Sequence, residues 1–179
     1  MTEILLTSET FIKSVSNISD NLAGKYLLPA MREAQEINLR GFLGDALLDR
    51  LKGMIGDGTL KDEQNSRYKE LVDVCQYFLA YQTIAGLPYK IGYKLANIGV
   101  AKTEDTNVQG GTPVEISNIQ AYYQNKADYY AKLLQRFALE HSSDFPELTE
   151  NNCYHIKKNL YSAASCGIWL GGPRGKIMH

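Results

Sequence analysis

Apolar residues recur at helical spacing along most of the chain, and this pattern predicts a mainly α-helical fold. The clearest stripe lies within Asp45 to Ile55, where Leu47, Leu48, Leu51 and Met54 share one face. Similar stripes predict further helices over Thr7 to Ile12, about Asn21 to Leu39, about Lys61 to Ala85, and Ser117 to about His141. We therefore expect an antiparallel helical bundle.

Capping residues and helix breakers set the expected ends of these helices. Thr7 or Ser8 is the expected N-cap of the first helix, and Ser117 is the expected N-cap of the last. Pro29 should kink or divide the second helix, because proline has no backbone N–H to donate. The other expected breaks are Gly41, the Gly56-Asp57-Gly58 turn, Gly86 with Pro88, and Phe145-Pro146.

A polar stretch between the two long helices predicts a long loop or hairpin at about residues 89–113. Ile91 to Leu95 fits either a short strand or a frayed turn, and Asn97-Ile98-Gly99 fits a turn. From Ala101 to Pro113 only Ala101 and Val108 are apolar. Long polar loops are uncommon in compact domains, so this one is a candidate for function, although an ordinary surface loop is the alternative.

The C-terminal segment combines helix breakers with an apolar cluster. Glycines and a proline between residues 167 and 175 exclude a long helix there. Ile168, Trp169 and Leu170 nevertheless gain free energy by leaving water. This extended arm is therefore expected to pack on its own chain or on a neighbouring subunit. We predict a helical domain over residues 1–146 and a C-terminal extension and arm over residues 147–179.

Composition and charge narrow the class of protein. The chain of 179 residues is 44% hydrophobic and has a net charge of −1, so no overall positive field favours nucleic acid or anionic lipid. No signal-peptide pattern is visible, and no stretch approaches the roughly 20 apolar residues that span a bilayer. We therefore expect a soluble protein made in the cytoplasm. Twelve tyrosines against five phenylalanines suit either half-buried helix flanks or interfaces.

No motif in the sequence indicates catalysis, a cofactor or a metal site. The three cysteines and three histidines lack metal-ligand spacing, and Cys75 lies on an apolar stripe that suits a small core residue. Phosphate-binding and nucleophile motifs are also missing. Charged residues along the second and third helices fit a solvated, ion-paired face, namely Arg32, Glu33, Glu36, Arg40, Asp45, Asp49 and Arg50. We accordingly expect a protein that is not an enzyme.

Basic and aromatic residues in and near the polar loop raise an alternative function. They are Lys61, Tyr89, Lys90, Tyr93, Lys94 and Lys102. Lysine and tyrosine together can bind single-stranded nucleic acid through charge and stacking. The near-zero net charge favours an ordinary solvated loop instead. A small helical nucleic-acid-binding or regulatory protein is thus the alternative interpretation.

Several segments, read in order, resemble a family of head–tail connector (adaptor) proteins of tailed bacteriophages. The version that they resemble occurs in phages and prophages of Bacteroidetes, including crAss-like phages. The matching segments are Lys25 to Pro29, Arg32 to Glu36, Leu43 to Leu47, Leu87-Pro88, Lys94 to Val100, Ala127 to Ala131, Phe145 to Glu147, and Gly167 to Gly171. At Lys94 to Asn97 the sequence departs from the more polar turn that the family leads us to expect.

The resemblance implies a structural virion protein without catalytic residues. Such proteins form rings, commonly of twelve subunits, that dock on the portal, extend the DNA channel and join it to the next ring of the tail. It implies a place at the head–tail junction of the virion, transient non-specific contact with DNA, and no contact with a membrane.

The resemblance also gives two segments an expected role at interfaces. The loop is expected to line the channel or contact an adjacent ring, and the arm is expected to reach the portal or a neighbouring subunit. The residues expected at these interfaces are Tyr93, Lys94, Asn97, Lys102, Gln109, Ile168, Trp169, Leu170 and Arg174.

Overall fold

The computed structural model describes residues 3–96, 99–102 and 112–150, and these ranges are mainly helical, as predicted. The helices are α1 (Glu9–Ser14), α2 (Gly24–Glu33), a π-helix (Ala34–Leu39), α3 (Arg40–Gly56), α4 (Ser66–Gly92), α5 (Pro113–Glu140) and α6 (Glu147–Glu150). Two short 3-10 turns, Thr59–Lys61 and Glu63–Asn65, join α3 to α4. Two strands, β1 (Tyr93–Ala96) and β2 (Gly99–Lys102), follow α4.

The two long helices, α4 and α5, pack along each other in opposite directions. Near the start of α5, the Gln120 side chain donates to the carbonyl of Ala85, late in α4. Further along, Tyr130 stacks on Tyr77, whose position is earlier in α4. Since partners on α4 move backwards as α5 advances, the pair is antiparallel.

Buried side chains form two clusters on either side of the middle of α4. The first contains residues of the π-helix, α3, the first half of α4 and the second half of α5, with Leu6 and Phe145. The second joins α1 and α2 to the second half of α4 and to Ala127 of α5. Cys75 belongs to the first cluster, as predicted, and complete burial raises the pKa of its thiol. That thiol is therefore a packing group.

The start of α1 and the turn after α3 agree with the sequence. The Ser8 hydroxyl accepts a hydrogen bond from the Phe11 amide at 3.1 Å, which makes Ser8 the N-cap. Gly58 has a φ of 75°, a left-handed conformation that favours glycine. The predicted turn at Gly56-Asp57-Gly58 is therefore confirmed.

The predicted helix break at Gly41 is wrong, because Gly41 lies inside α3. The backbone leaves the helical conformation three residues later, at Gly44, whose φ of 76° and ψ of 171° form a conformation open essentially to glycine alone. Pro29 does not divide α2, which continues to Glu33. In a regular helix the amide at position 29 would donate to the carbonyl of Lys25. Because proline has no N–H, only this one hydrogen bond near the helix start is lost.

Gly86 and Pro88 do not end α4, which continues to Gly92. Packing holds the additional turn, since Leu87 is only 4% exposed and Ile91 packs against the same buried cluster. An ion pair from Lys90 to Glu33 of α2 also fixes this end of the helix. Burial and the ion pair together offset the one hydrogen bond that Pro88 removes.

Thr112 is the N-cap of α5, so the predicted N-cap at Ser117 is wrong. The Thr112 hydroxyl accepts from the Glu115 amide at 3.3 Å, and the Glu115 carboxylate accepts from the Thr112 amide at 2.8 Å. This is a capping box, and Pro113 at the first helical position strengthens it. Together they begin the helix before Ser117, which is exposed within α5.

The strand interpretation of the segment after α4 is correct. β1 and β2 pair antiparallel, with Tyr93 opposite Lys102 and Ala96 opposite Gly99. The predicted turn at Asn97 and Ile98 lies outside the described residues.

Candidate interaction surface

Aromatic rings form a continuous chain across α1, α4 and α5. Phe11 meets Tyr77 edge-on with ring centroids 5.2 Å apart, and Tyr77 stacks on Tyr130 at 5.1 Å. Further ring contacts join Tyr130 to the remaining members. We call the following residues the aromatic surface: Phe11, Tyr77, Tyr81, Tyr122, Tyr123, Tyr129 and Tyr130.

Helical geometry explains why part of this chain of rings is exposed. Tyr123 and Tyr130 are two turns apart on α5, and both contact Tyr81 of α4. Tyr122 and Tyr129 each precede one of them and therefore lie about 100° further round the helix. Their exposed fractions are 55% and 62%, respectively.

Ile119 extends the exposed apolar area along α5. Its helical spacing to Tyr123 and Ala127 predicts a place in the buried stripe of α5, and this prediction is wrong, because Ile119 is 51% exposed. Eight residues turn an α-helix by about 800°, which puts Ile119 about 80° away from the fully buried Ala127. Half-exposed tyrosines leave roughly 100 Å² each in water. The exposed patch therefore approaches the roughly 300–600 Å² of the largest patches on monomers, which are often functional.

Lys126 places a positive charge among these rings. Its Nζ lies 4.4 Å from the ring centre of Tyr122, 5.2 Å from that of Tyr81 and 5.8 Å from that of Tyr123. Hydrogen bonding to Tyr122 raises the pKa of Lys126, and burial raises the pKa of the Tyr130 hydroxyl. Both shifts keep the Lys126 ammonium charged and the Tyr130 phenol neutral at neutral pH.

The sequence contains a pattern that indicates this surface, although the helix prediction did not use it. The Tyr-Tyr pair at 122–123 repeats after seven residues at 129–130. A doubled aromatic every two turns widens the apolar stripe beyond what one neighbouring helix covers. The tyrosine surplus raised the possibility of an interface, but it did not place one on α5.

A charged cluster surrounds the π-helix. It agrees with the ion-paired face that the sequence predicts for this part of the chain. Arg40 donates to Glu36 and Asp45, and Lys52 donates to Glu36 from α3. Burial raises the pKa of Glu36, but the hydrogen bonds from Lys52, Arg40 and Gln35 outweigh it and lower the pKa to about 2. A carboxylate ionised at every physiological pH suits a structural ion pair and not a proton donor.

The other two arginines of that face pair with residues outside it. Arg32 pairs with Glu3 in the N-terminal segment at 2.5 Å. Arg50 lies 3.9 Å from Glu147 of α6. These ion pairs tie the first and last described segments to the helical body.

Gln35 in the π-helix holds the N-terminal segment in place. This side chain is 1% exposed; its Oε1 accepts from the Leu6 amide at 2.8 Å and its Nε2 donates to the Ile4 carbonyl at 3.0 Å. Gln76 of α4 donates to the Leu6 carbonyl at 3.1 Å. The two amides replace the backbone partners that this extended segment would find in a sheet.

The residues predicted at interfaces fall mainly outside the described part of the chain. Tyr93 and Lys94 lie in β1, and Lys102 lies in β2 directly opposite Tyr93. Those lying outside are Asn97, Gln109, Ile168, Trp169, Leu170 and Arg174. The structure thus brings Tyr93 and Lys102 together on neighbouring strands.

Two negative findings concern the described residues alone. Within residues 3–96, 99–102 and 112–150, no group of His, Cys, Asp or Glu side chains is arranged to hold a metal ion. In the same ranges, every helix is too short or too polar to cross a bilayer.

Fold and surface together define a mainly helical protein with an exposed aromatic patch on α5. A family model matches residues 39–158, so the chain belongs to DUF6712, a family of unknown function. No curated protein and no solved structure matches the chain.

Proposed function

We propose that this protein is a subunit of a head–tail connector ring in a tailed phage or prophage. The ring would dock on the portal, extend the DNA channel and join it to the next ring of the tail. The observation that carries the proposal is the aromatic surface, which leaves Tyr122 and Tyr129 more than half exposed and holds the Lys126 ammonium over the ring of Tyr122. The sequence segments that resemble connector proteins are the reason why we propose a head–tail connector ring as the particular assembly.

The aromatic surface has the chemistry of a subunit interface. Tyrosine is enriched at interfaces because its ring buries a large area while its hydroxyl still binds water or a partner. In a ring each subunit uses one face to contact a different face of the next, so such a patch is covered on every subunit. Assembly would remove Tyr122, Tyr129 and Ile119 from water.

The hairpin of β1 and β2 would supply contacts along the axis of the ring. It follows α4 and carries Tyr93, Lys94 and Lys102, with Asn97 and Gln109 in the adjoining sequence. We propose that this region lines the channel or meets an adjacent ring. A net charge of −1 suits a channel that DNA passes through, because strong phosphate binding would hinder its passage.

Assembly with the portal protein of the same phage genome tests this proposal. The purified full-length chain, alone and mixed with that portal, is measured by size-exclusion chromatography with light scattering and imaged by negative stain. We expect closed rings, commonly of twelve subunits, or a ring layer on the portal. A chain that stays monomeric at high concentration and ignores the portal would refute the connector proposal.

Lys126 among exposed tyrosines also favours a second function, binding of single-stranded nucleic acid. Exposed rings provide stacking platforms for bases, and a lysine can contact phosphate. The Lys126 ammonium, however, already lies over three rings, which limits its reach. Electrophoretic mobility shifts with single-stranded DNA at rising salt test this alternative. Binding that persists at physiological ionic strength and weakens in the Lys126→Ala variant would favour it.

A further inference from the structure

We propose that the apolar cluster Ile168-Trp169-Leu170 of a second copy of this chain docks on the aromatic surface. This inference rests on the proposed ring, and it names what covers the patch. It also assigns Trp169, the single tryptophan of the chain, to a particular partner surface.

The chemistry of the two partners is complementary. The patch offers the exposed rings of Tyr122 and Tyr129 with the aliphatic side chain of Ile119 beside them. An indole stacks on phenol rings and also attracts an ammonium such as that of Lys126. Ile168 and Leu170 flank Trp169 with aliphatic groups that gain free energy by leaving water.

The length of chain between the described body and this cluster permits the contact. The last described helix, α6, packs beside α3, and Glu147 in it contacts Tyr68 of α4. The 17 residues between Glu150 and Ile168 can span about 60 Å at most. Tyr122 lies only about 22 Å along α5 from the level of Phe137, near that end of the body. The segment is therefore longer than this distance, which leaves chain to extend from its own body to a second copy.

In the proposed ring, the cluster that docks on each aromatic surface comes from a second copy and not from the same chain. A patch covered by its own chain would be lost as an assembly surface. Exchange between copies instead covers every patch and links each subunit to the next in one direction, which is the heterologous contact that closes a ring.

A mixture of two full-length variants tests the exchange, with Trp169 fluorescence as the readout. The surface variant, Tyr122→Ser with Tyr129→Ser, keeps Trp169 but loses the patch. The arm variant, Ile168→Ser with Trp169→Ser and Leu170→Ser, keeps the patch but contains no tryptophan. We expect Trp169 of the surface variant alone to emit as in water. On mixing, its emission should shift to the blue, and quenching by acrylamide should fall several-fold.

Matched controls make the result specific. A partner that carries both sets of substitutions must give no blue shift on mixing. Ile37→Ser changes another exposed apolar residue, 68% exposed on the π-helix, and should leave the wild-type emission unchanged. Circular dichroism checks that each variant retains its helices. Tyr129→Lys serves as a second surface variant should the double substitution unfold the protein.

The outcomes separate this inference from the proposed function. A mixture that emits like the surface variant alone, or wild-type protection that survives dilution to the monomer, would overturn docking by a second copy. If wild-type rings form while Trp169 stays accessible to acrylamide, the docking inference fails and the connector proposal stands. If no ring forms with or without the portal, the connector proposal itself fails.

Discussion

At the scale of single residues, buried or half-buried polar groups fix the shape of the N-terminal third. Gln35 fills an otherwise apolar site and pairs with the backbone of Ile4 and Leu6. Glu36, the next residue, gathers Arg40 and Lys52. Both side chains belong to the π-helix, so an irregular backbone presents two neighbouring polar groups to two different partners.

Gln35→Ala should destabilise the protein by about 2–3 kcal/mol, because it leaves the buried Leu6 amide unpaired and creates a cavity. Chemical denaturation monitored by circular dichroism measures the change. Gln64→Ala, at an exposed position between α3 and α4, is the matched control and should stay within about 0.5 kcal/mol of wild type. Equal effects of the two substitutions would show that the hydrogen bonds of Gln35 to Ile4 and Leu6 do not stabilise the fold.

Glu36 should make stability depend on pH in the acid range. Its pKa falls from 4.5 to about 2 on folding, so its contribution is complete above pH 4.5 and is lost as pH falls towards 2. The side chain is 39% exposed and screened by solvent, so we expect a loss of only about 1 kcal/mol. Denaturation at several pH values should show that Glu36→Gln removes this slope. The exposed Glu63→Gln variant should keep it.

At the scale of elements, special backbone positions decide where helices begin and turn. Gly44 interrupts α3 with a positive φ, and Thr112 begins α5 with a capping box. Both act locally, yet each orients a long helix that carries core residues. Each position has a counterpart in an ordinary helical setting, Gly53 for Gly44 and Ser117 for Thr112, which permits matched substitutions to alanine.

Alanine at two glycines of α3 should have opposite effects. Gly44→Ala forces a side chain into a conformation open essentially to glycine, at a cost of about 1–3 kcal/mol. Gly53 is helical with open space around a new Cβ, so Gly53→Ala should stabilise the protein by about 0.5–1 kcal/mol. Thermal unfolding measures both changes. Similar effects at the two positions would show that the chain has no break at Gly44.

Removal of the α5 N-cap should cost about 1 kcal/mol in Thr112→Ala, because the Glu115 amide loses its acceptor. Ser117→Ala lies within the same helix at an exposed position and should be neutral or slightly stabilising, since alanine is the better helix former. Urea denaturation compares the two variants. A larger loss at Ser117 would return the helix start to the position that the sequence first indicated.

At the scale of the whole molecule, a well-buried interior coexists with an aromatic patch that the chain leaves in water. Leu47, Leu48 and Leu51 are fully buried, whereas Tyr122 and Tyr129 are more than half exposed. Exposed rings add little to the folding stability of the single chain. Burial against a partner would let them contribute to the free energy of association. Substitutions in this patch should therefore weaken the proposed assembly without lowering the stability of the single chain.

The double substitution Tyr122→Ser with Tyr129→Ser should leave the unfolding temperature of the single chain nearly unchanged and abolish the ring assembly that we propose. The reason is that both side chains are largely solvated in the single chain. Light scattering and thermal unfolding on the same samples give the two readouts. Ile37→Ser controls for loss of an exposed apolar group elsewhere and should assemble as wild type. Assembly of the double variant would exclude these tyrosines from the interface.

Periodicity made the interior predictable and left the surface undetermined. The leucines of α3 recur every three or four residues, so their shared burial followed from the sequence alone. Whether Gly41 or Gly44 breaks the helix depends on backbone angles that any glycine permits. Which member of the Tyr122-Tyr123 pair faces solvent depends on the path of α4 beside it. Both questions are settled by tertiary packing, which one sequence does not contain.

The π-helix between α2 and α3 has a consequence for how this chain tolerates changes in length. Its wider turn accommodates one more residue than an α-helical turn of the same rise. Deletion of one residue from Ala34–Leu39 would therefore restore regular α-helix there and leave the rotation of the following backbone relative to α2 nearly unchanged. Leu39 and Leu43, both fully buried, would then keep their places in the core, whereas a deletion from a regular α-helical turn would rotate the residues after it by about 100°. This short segment is therefore the part of the helix that should best tolerate the loss of one residue.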